Sequence, residues 1–212
     1  MSAHEVIQES YNGVAEVYAA QFSGSLSKFP LERGVYVAFA ELAKEVGGPV
    51  ADVGCGPGYV TAHLASLGLD VFGVDLSPGM LEQARKAYPE LRFEEGSMMA
   101  LDIADGALAA VVARYSIIHL VPEDVPGVLA EFRRVLAPGG HLFINFPASD
   151  DASHPTQSYD HKVVTAYRWW PDHFSALLAE AGLEELARLI EQPGPDAPRP
   201  FLAVGILARK TV

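Results

Sequence analysis

One segment constrains the fold of this chain more than any other: residues 50–60, which read Val-Ala-Asp-Val-Gly-Cys-Gly-Pro-Gly-Tyr-Val. Its apolar start predicts a short buried strand. Gly54, Gly56 and Gly58 then let the backbone turn sharply into a helix and leave no Cβ where a ligand must approach. A second strand, residues 71–75, follows after a helix-sized interval and ends in Asp75. That separation is typical of an acidic side chain beside a ribose diol, so the unit predicts an α/β sheet that binds a nucleoside.

The spacing of the glycines separates two kinds of nucleoside ligand. A dinucleotide fingerprint reads G-x-G-x-x-G, and its glycines face a pyrophosphate. This chain has G-x-G-x-G, and Tyr59 takes the place of the third glycine. Asp52 lies just before the glycines, where a carboxylate would repel a pyrophosphate and attract an ammonium group. The segment therefore disfavours NAD and FAD, although an oxidoreductase on a related sheet stays open as an alternative.

Four further blocks follow the glycine segment. They are residues 74–81 (Val-Asp-Leu-Ser-Pro-Gly-Met-Leu), 96–98 (Gly-Ser-Met), 115–120 (Tyr-Ser-Ile-Ile-His-Leu) and 136–142 (Leu-Ala-Pro-Gly-Gly-His-Leu). Together with Asp-x-Gly-x-Gly-x-Gly at 52–58, they make the chain resemble the class I S-adenosylmethionine-dependent methyltransferases over nearly its whole length. The resemblance implies S-adenosylmethionine as the cofactor, since that molecule carries an ammonium and a sulfonium and no phosphate. It does not specify the methyl acceptor.

Alternating strand and helix patterns predict an α/β fold: a Rossmann-like, doubly wound, mostly parallel seven-stranded sheet with helices on both faces and an antiparallel C-terminal strand hairpin. We expect a single domain over residues 1–212. Its helical cap would span 1–47, with helices near 5–21 and 30–46 packed beside the sheet, and a substrate-binding insertion would span 147–170. The strands are expected at residues 50–53, 71–74, 92–94, 109–113, 141–146, 184–191 and 201–208, with the proline-rich turn 193–200 joining the last two.

Local signals predict where individual helices begin and end. Ser77 and Pro78 are typical of an N-cap and a first-turn proline. The apolar stripe of the second helix comprises Leu31, Val35, Ala38, Phe39, Leu42 and Val46. A period of 3.6 over residues 125–136 predicts another helix, which residues 138–140 (Pro-Gly-Gly) should end.

The resemblance implies cofactor contacts at the carboxyl ends of the strands, where ligands of open α/β sheets bind. Gly54 and Gly56 would line the methionine and ribose portions, with Gly58 completing the turn. Asp75 would bind both ribose hydroxyls, and Asp52 would lie near the ammonium group.

The adenine and the outer side of the cofactor have their own expected contacts. By resemblance, Leu76 and Met80 pack against adenine, and Ser97 and Met98 align with the family's adenine-edge pair. The family often has aspartate in place of Ser97, so a weaker contact is expected there. Tyr11 and Tyr18 lie seven residues apart on one face of the first helix. In the family such a pair often closes over the cofactor, and core aromatic packing is the alternative.

Two charged or titratable side chains follow the fourth strand. Arg114 stands where the family commonly has a small or polar residue, and its guanidinium could hold the cofactor's carboxylate in a forked pair. A surface ion pair is the alternative. His119 is the candidate general base, because it lies at the catalytic mouth and histidine titrates near neutrality. The alternative is a helix-capping or packing histidine.

The insertion at 147–170 lacks a regular period, which is typical of a binding loop or lid. If it folds over the sheet, its side chains should line the acceptor pocket together with Tyr115, which ends the fourth strand. The candidate residues are Tyr159, His161, Tyr167, Arg168 and Trp169. As an alternative, Trp169 and Trp170 anchor the segment to the core.

Composition excludes several partners. A net charge of −12 offers no broad basic surface for nucleic acid. The N-terminus lacks a signal-peptide pattern, and the longest apolar run, 107–113, is far shorter than the roughly 20 residues that cross a bilayer. We therefore expect a soluble cytoplasmic protein without a membrane partner. Cys55 is the only cysteine and is expected to pack in the glycine loop, and the scattered histidines predict no metal site.

These observations favour an enzyme that transfers methyl from S-adenosylmethionine to a small-molecule acceptor, with oxygen or nitrogen favoured over carbon. The reaction is an in-line displacement, so the protein mainly aligns donor and acceptor and excludes water. A binding protein for S-adenosylmethionine or S-adenosylhomocysteine without catalysis is the alternative. The acceptor and the oligomeric state are left open.

Overall fold

The computed structural model describes residues 3–22, 24–194 and 200–211. Helices α1 (Ala3–Phe22) and α2 (Pro30–Val46) precede the first strand. The strands are β1 (Val50–Val53), β2 (Val71–Asp75), β3 (Arg92–Glu95), β4 (Leu108–Arg114), β5 (Leu136–Pro147), β6 (Thr156–Asp160), β7 (Thr165–Trp169), β8 (Leu183–Glu191) and β9 (Ala203–Lys210). The later helices are α3 (Tyr59–Ser66), α4 (Pro78–Ala87), α5 (Val125–Val135) and α6 (Pro171–Glu180).

The main sheet has seven strands in the order β3-β2-β1-β4-β5-β9-β8. The first five strands in this order run parallel, whereas β9 pairs antiparallel with both β5 and β8. The predicted doubly wound sheet with its antiparallel C-terminal hairpin is confirmed. The middle of the turn between β8 and β9, residues 195–199, lies outside the described residues.

Both faces of the sheet are covered, and the central strand β4 shows why its sequence is apolar throughout. Ala110 and Val112 pack with α2 and α3 on one face. Val111 and Ala113 pack on the opposite face, where α5 and α6 contribute Phe132 and Phe174. A strand buried on both faces has no polar face, so its run of apolar residues is continuous.

Several element boundaries differ from the sequence prediction. Helix α5 ends at Val135, and residues 138–140 lie inside β5 instead of ending the helix. The predicted start of α4 is confirmed, since Ser77 Oγ accepts from Met80 N at 3.1 Å. The insertion 147–170 is not irregular: β6 and β7 pair within it as an antiparallel hairpin.

The buried face of α2 is rotated by one position from the predicted stripe. Leu31 is 59% exposed, whereas Glu32 is buried beside Tyr36 and Phe39. The prediction from apolar residues missed this face because it includes a buried glutamate, which belongs to an ion pair described below.

Helix α1 does not pack beside the sheet as expected. It lies against α4: Asn12 Oδ1 accepts from Ser77 Oγ at 2.7 Å and from Gly79 N at 2.9 Å. Gln8 Nε2 donates to the carbonyl of Leu76 at 2.8 Å. These contacts place α1 across the carboxyl ends of β1 and β2.

Candidate cofactor and acceptor cleft

A cleft opens at the carboxyl ends of β1, β2 and β4, with α1 as its roof. Its lining residues are His4, Ile7, Tyr11, Tyr18, Val53, Gly54, Cys55, Gly56, Pro57, Tyr59, Asp75, Leu76, Met80, Gly96, Ser97, Met98, Arg114, Tyr115, Ser116, His119 and Leu120. The structure therefore brings together most of the residues that the sequence proposed.

Asp75 is held in a fixed orientation at the end of β2. Its Oδ1 accepts from the backbone N–H of Ser77 at 2.8 Å, and its Oδ2 accepts from that of Gly56 at 2.7 Å. Burial raises the pKa of Asp75, and these N–H donors oppose the rise. A carboxylate oxygen has two lone pairs, so both oxygens retain acceptor capacity toward a ligand.

The three glycines of the loop serve different needs. A Cβ on Gly54 would lie 2.2 Å from Ser116 Cβ, so close packing of the loop against the end of β4 requires glycine. A Cβ on Gly56 would have no neighbour within 4 Å, which leaves open space in the cleft wall. Gly58 does not line the cleft, and its Cβ would lie 2.8 Å from Phe93 Cζ. The structure therefore does not place Gly58 at the predicted cofactor contact, and glycine is needed there because the loop packs against Phe93.

Asp52 lies behind the glycine loop and does not line the cleft. Its side chain is buried, and Thr61 Oγ1 donates to Asp52 Oδ2 at 2.7 Å. Burial raises the pKa of Asp52 to about 7, because desolvation outweighs the hydrogen bond from Thr61. The predicted direct contact with an ammonium group is not supported by this placement.

The residues expected at adenine line one end of the cleft. Leu76 and Met80 follow β2, and Ser97 and Met98 follow β3. Ser97 Oγ accepts from the backbone N–H of Met99 at 3.2 Å. The order of the strands therefore places the predicted adenine side next to β2 and β3, although the contact with adenine stays a prediction.

Tyr11 and Tyr18 lie in the roof, with ring centroids 5.8 Å apart in an edge-to-face arrangement. Burial raises the pKa of both phenols, so both hydroxyls are neutral. Tyr11 Oη lies 2.6 Å from His119 Nε2. This contact joins α1, the roof, to the segment that follows β4.

The hydrogen bonds of His119 define its tautomer. Nδ1 lies 3.1 Å from the carbonyl oxygen of Thr165, which can only accept, so Nδ1 carries the proton. Nε2 then accepts from the Tyr11 hydroxyl. Burial lowers the pKa of His119 to about 4, and the neighbouring His161 adds to the decrease. His119 is therefore a neutral imidazole at physiological pH, and its one lone pair is occupied.

Arg114 forms a buried ion pair that sequence reasoning missed. Its Nε donates to Glu32 Oε1 at 2.5 Å and its Nη2 to Glu32 Oε2 at 2.9 Å, while Nη1 donates to Tyr59 Oη at 2.8 Å. The forked edge expected for the cofactor is thus occupied by Glu32, and the alternative of a surface pair is also wrong, since the side chains are only 10% and 5% exposed. Glu32 and Tyr36 share one helix face, and this i,i+4 pair was the available signal.

The insertion contributes no residue to the cleft wall. Trp169 is 1% exposed and packs edge-to-face against Phe174, so it anchors the hairpin to the core. The ring of His161 contacts that of His119, with 4.9 Å between their centroids. The predicted pocket residues Tyr159, His161, Tyr167, Arg168 and Trp169 are therefore absent from the lining, and of the proposed acceptor residues Tyr115 is retained.

Arg168 joins the hairpin to its neighbours. Its guanidinium donates to Gln157 on β6 and to the carbonyl of Ala148. It also lies over the ring of Phe201, 4.1 Å from the centroid. The contact with Gln157 joins β7 to β6, and the contacts with Ala148 and Phe201 join β7 to the residues that follow β5 and precede β9.

Ser116 is the clearest residue that the sequence did not single out. Its Oγ is buried without a hydrogen-bond partner, and the residue lines the cleft between Gly54 and His119. Buried hydroxyls normally have partners, so this atom is suited to a ligand. Tyr115 precedes it with a φ of +49°, and this conformation turns the chain at the end of β4.

Within residues 3–22, 24–194 and 200–211, no group of three or more His, Cys, Asp and Glu side chains is placed to hold a metal ion. In the same residues, no helix combines the length and hydrophobicity needed to span a membrane.

The fold and the cleft define a nucleoside-binding protein of the Rossmann-like α/β class. The methyltransferase-domain family matches residues 50–140. A demethylmenaquinone methyltransferase of Beutenbergia cavernae is 31% identical over 66% of this chain and 68% of its own length. A methyltransferase of Streptomyces halstedii is 30% identical over 83% of this chain and 68% of its own length. The chain belongs to the class I S-adenosylmethionine-dependent methyltransferases.

Solved structures agree on the fold. The 1,6-didemethyltoxoflavin-N1-methyltransferase of Burkholderia thailandensis, solved with 1,6-didemethyltoxoflavin and S-adenosylhomocysteine, matches all of this chain and 92% of its own, with a TM-score of 0.75 and 21% identity. The magnesium protoporphyrin IX methyltransferase of Synechocystis, solved with S-adenosylmethionine, matches with a TM-score of 0.75 and 15% identity. The chain spans only 47%, 40% and 48% of three other demethylmenaquinone methyltransferases that it matches.

The cleft has the chemistry that S-adenosylmethionine requires. Asp75 offers acceptors for a diol, Gly56 leaves space beside it, and Ser116 holds an unsatisfied hydroxyl. The arginine in the wall is neutralised by Glu32, so the wall carries little net positive charge to repel a sulfonium.

Proposed function

We propose that this protein transfers a methyl group from S-adenosylmethionine to a small-molecule acceptor, with oxygen or nitrogen favoured over carbon. The observation that carries the proposal is Asp75, whose carboxylate is fixed by two backbone N–H groups beside the open space at Gly56. This geometry suits a ribose diol with no phosphate attached.

The strand order supports a division of the cleft among the parts of the cofactor. Asp75 would hold the ribose, while Leu76, Met80, Ser97 and Met98 would hold the adenine on the side of β3. The amino-acid end would then lie over β1 and β4, near Ser116. Bound S-adenosylmethionine supplies an electrophilic methyl group on its sulfonium. The protein aligns the acceptor with it and excludes water under the roof formed by α1.

Tyr11, Tyr18 and Tyr115 give the acceptor side an aromatic lining, which suits a flat, ring-bearing molecule. The relatives point the same way, since their names include acceptors such as demethylmenaquinone and 1,6-didemethyltoxoflavin. Both observations favour a small-molecule acceptor.

His119 as general base is the part of the proposal with a specific structural condition. Its Nε2 already accepts from Tyr11, so a proton from an acceptor hydroxyl would reach it through the phenol, or after the phenol moves away. A pKa of about 4 makes His119 a weak base. Acceptors that reach the cleft already deprotonated, or neutral amines, would not need it.

The first experiment is a calorimetric titration of S-adenosylmethionine and NAD, each into the wild type and two variants. Asp75→Ala removes the proposed ribose contact, and Asp70→Ala, at an exposed aspartate just before the same strand, is the matched control. We expect S-adenosylmethionine to bind the wild type and the control, with the affinity of Asp75→Ala at least about tenfold weaker. Binding of NAD alone would overturn the proposal in favour of an oxidoreductase.

A binding protein without catalysis is the second candidate, and the occupied lone pair of His119 is the observation that favours it. The two are separated by incubating the protein with methyl-labelled S-adenosylmethionine and a panel of phenols, amines and quinols. Labelled product that depends on the protein, and that falls in Asp75→Ala at limiting S-adenosylmethionine, supports the enzyme. Tight cofactor binding with no labelled product on the panel supports the binding protein.

A further inference from the structure

We propose that the methyl acceptor is a flat molecule whose reacting atom is a neutral nitrogen, and that the cleft holds the cationic product of its methylation. The inference rests on the proposed function and deepens it, because it selects nitrogen over oxygen and a neutral acceptor over an anionic one. Three features of the cleft carry it: the hydrogen bonds of His119, the charges of the wall and the tyrosine rings.

The one lone pair of His119 is occupied, so it cannot take a proton from an acceptor in this arrangement. Its Nδ1–H donates to the carbonyl of Thr165, and its Nε2 accepts from the Tyr11 hydroxyl. The phenols of the roof keep their own protons, since burial raises the pKa of Tyr11 and of Tyr18. An acceptor hydroxyl has to give up its proton to a base as its oxygen is methylated. The geometry therefore favours two other kinds of acceptor, an anion or a neutral amine.

The charges of the wall decide between these two. Among the described residues that line the cleft, Arg114 is the one lysine or arginine, and Glu32 pairs with it. Asp75 adds a carboxylate to the same lining. At the end of β8, burial raises the pKa of Glu191, and Glu32 raises it by more than Arg114 lowers it. The wall thus offers an anionic acceptor no unpaired guanidinium or ammonium, and its carboxylates would repel such an acceptor.

Four tyrosines line the cleft and supply ring faces. Tyr11 and Tyr18 form an edge-to-face pair in the roof, with ring centroids 5.8 Å apart. Tyr59 and Tyr115 lie beside Arg114, whose central carbon is 5.6 Å and 5.0 Å from their ring centroids. Ring faces attract cations, and they recognise methylated ammonium groups in this way. These rings, in a wall without net positive charge, suit a cationic product.

The balance of the transfer agrees with these features. The lone pair of the acceptor nitrogen forms the new N–C bond, the bond from the methyl carbon to sulfur breaks, and its electron pair stays on sulfur. The positive charge therefore moves from sulfur to nitrogen and remains in the cleft, beside the same rings and carboxylate. A primary or secondary amine then loses its extra proton to water when the product leaves. No base within the cleft is needed.

The first test measures binding and does not depend on turnover. Three phenols with the same ring are titrated by calorimetry into the protein saturated with S-adenosylhomocysteine: para-trimethylammonium phenol, its neutral isostere para-tert-butylphenol, and para-hydroxybenzoate. Tyr18→Leu and Tyr115→Leu each remove one ring face from the cleft. The matched control is Tyr167→Leu, at a partly buried tyrosine outside the cleft lining.

We expect the wild type to bind the cation about tenfold more tightly than the neutral isostere and than the anion. Tyr18→Leu and Tyr115→Leu should each lower the ratio of cation to isostere about threefold, because the two ligands share one shape and ring faces attract only the cation. The Tyr167→Leu control should keep the wild-type ratio. A wild-type ratio near one, tighter binding of the anion, or a ratio that neither cleft variant changes would overturn the inference.

The second test compares two neutral acceptors with the same ring system, α-naphthylamine and α-naphthol, at neutral pH with methyl-labelled S-adenosylmethionine. Labelling of the amine should be at least about tenfold faster, because the naphthol lacks a base. The variants His119→Gln and His4→Gln cover both histidines of the lining. Faster labelling of the naphthol, lost in either variant, would reveal a working base and would contradict the inference.

The remaining outcomes separate the inference from the proposed function. If a cleft variant fails to fold, or if neither naphthalene is labelled, the binding ratios of the wild type decide the question. If S-adenosylhomocysteine binds and the cation is not preferred, the inference falls while the proposed function stands. If the wild type binds neither S-adenosylhomocysteine nor S-adenosylmethionine, the proposed function falls and the inference falls with it.

Discussion

Asp52 should make the stability of this protein depend on pH in a direction opposite to that of a carboxylate stabilised by an ion pair. Its carboxyl is 1% exposed and accepts a hydrogen bond from the Thr61 hydroxyl. Burial raises its pKa from 3.8 to about 7. The informative perturbation is Asp52→Asn, because the amide keeps the size of the carboxyl and can still accept from Thr61.

The sign and size follow from proton linkage. Between pH 4 and 7 the unfolded chain has lost the Asp52 proton while the folded protein retains it, so the wild type loses stability as pH rises through this window. Below about pH 4 both states are protonated, and above about pH 7 both are ionised. Each pKa unit corresponds to about 1.4 kcal/mol, so the full loss is about 4 kcal/mol.

The assay is urea unfolding of the wild type and Asp52→Asn from pH 4 to 8, followed by circular dichroism. The free energy of unfolding of the variant minus that of the wild type should increase by about 4 kcal/mol across this range and then level off. Other titrating groups contribute to both proteins and largely cancel in the difference.

A constant difference for Asp52→Asn would refute the reasoning, since it would mean that Asp52 ionises at the same pH in both states. A difference that falls as pH rises would show that an unrecognised donor stabilises the carboxylate. Either result would also remove the argument that burial dominates the electrostatics behind the glycine loop.

Three further predictions follow from close contacts. Gly54→Ala should lower the free energy of unfolding in urea by about 3 kcal/mol, because its methyl would lie 2.2 Å from a neighbouring side chain at a φ of +75°. Gly56→Ala should lower it by about 1 kcal/mol but should weaken the binding of S-adenosylhomocysteine in calorimetry. Equal losses of stability in the two variants would contradict this prediction. The ring nitrogens of His119 should titrate near pH 4 by NMR, and a midpoint near 6.5 would show that the ring is not desolvated. Trp169→Ala should lower the free energy of unfolding by about 3–5 kcal/mol, while the less buried Tyr167→Ala should cost less than half as much.

Much of the candidate site was predictable because its signals are local in sequence. The glycine loop and Asp75 belong to one strand–helix–strand unit, in which backbone conformation and strand period depend on near neighbours. The parallel pairing of β1 and β2 then brings Gly56 N to 2.7 Å from the Asp75 carboxylate. Placing both at one edge of the sheet required only the rule that parallel strands end together.

The hairpin at 156–169 was predicted as an irregular pocket wall, because its sequence has no clean alternation. Pairing across a hairpin depends on register, and Trp169 enters the core only when the register turns it inward. Its aromatic composition favoured a binding role, whereas the structure uses the ring for packing against Phe174.

By itself, the sequence determined the order of the strands along the chain, the glycine loop and the acid at the end of β2, since each depends on residues only a few positions apart. The tertiary structure alone decided that Arg114 faces Glu32, 82 residues away, and that His119 accepts from Tyr11, 108 residues away. A buried charge or lone pair is stabilised by whichever partner the packing brings within 3 Å or so. No local pattern specifies that partner, because the contact exists only once helices and sheet have packed.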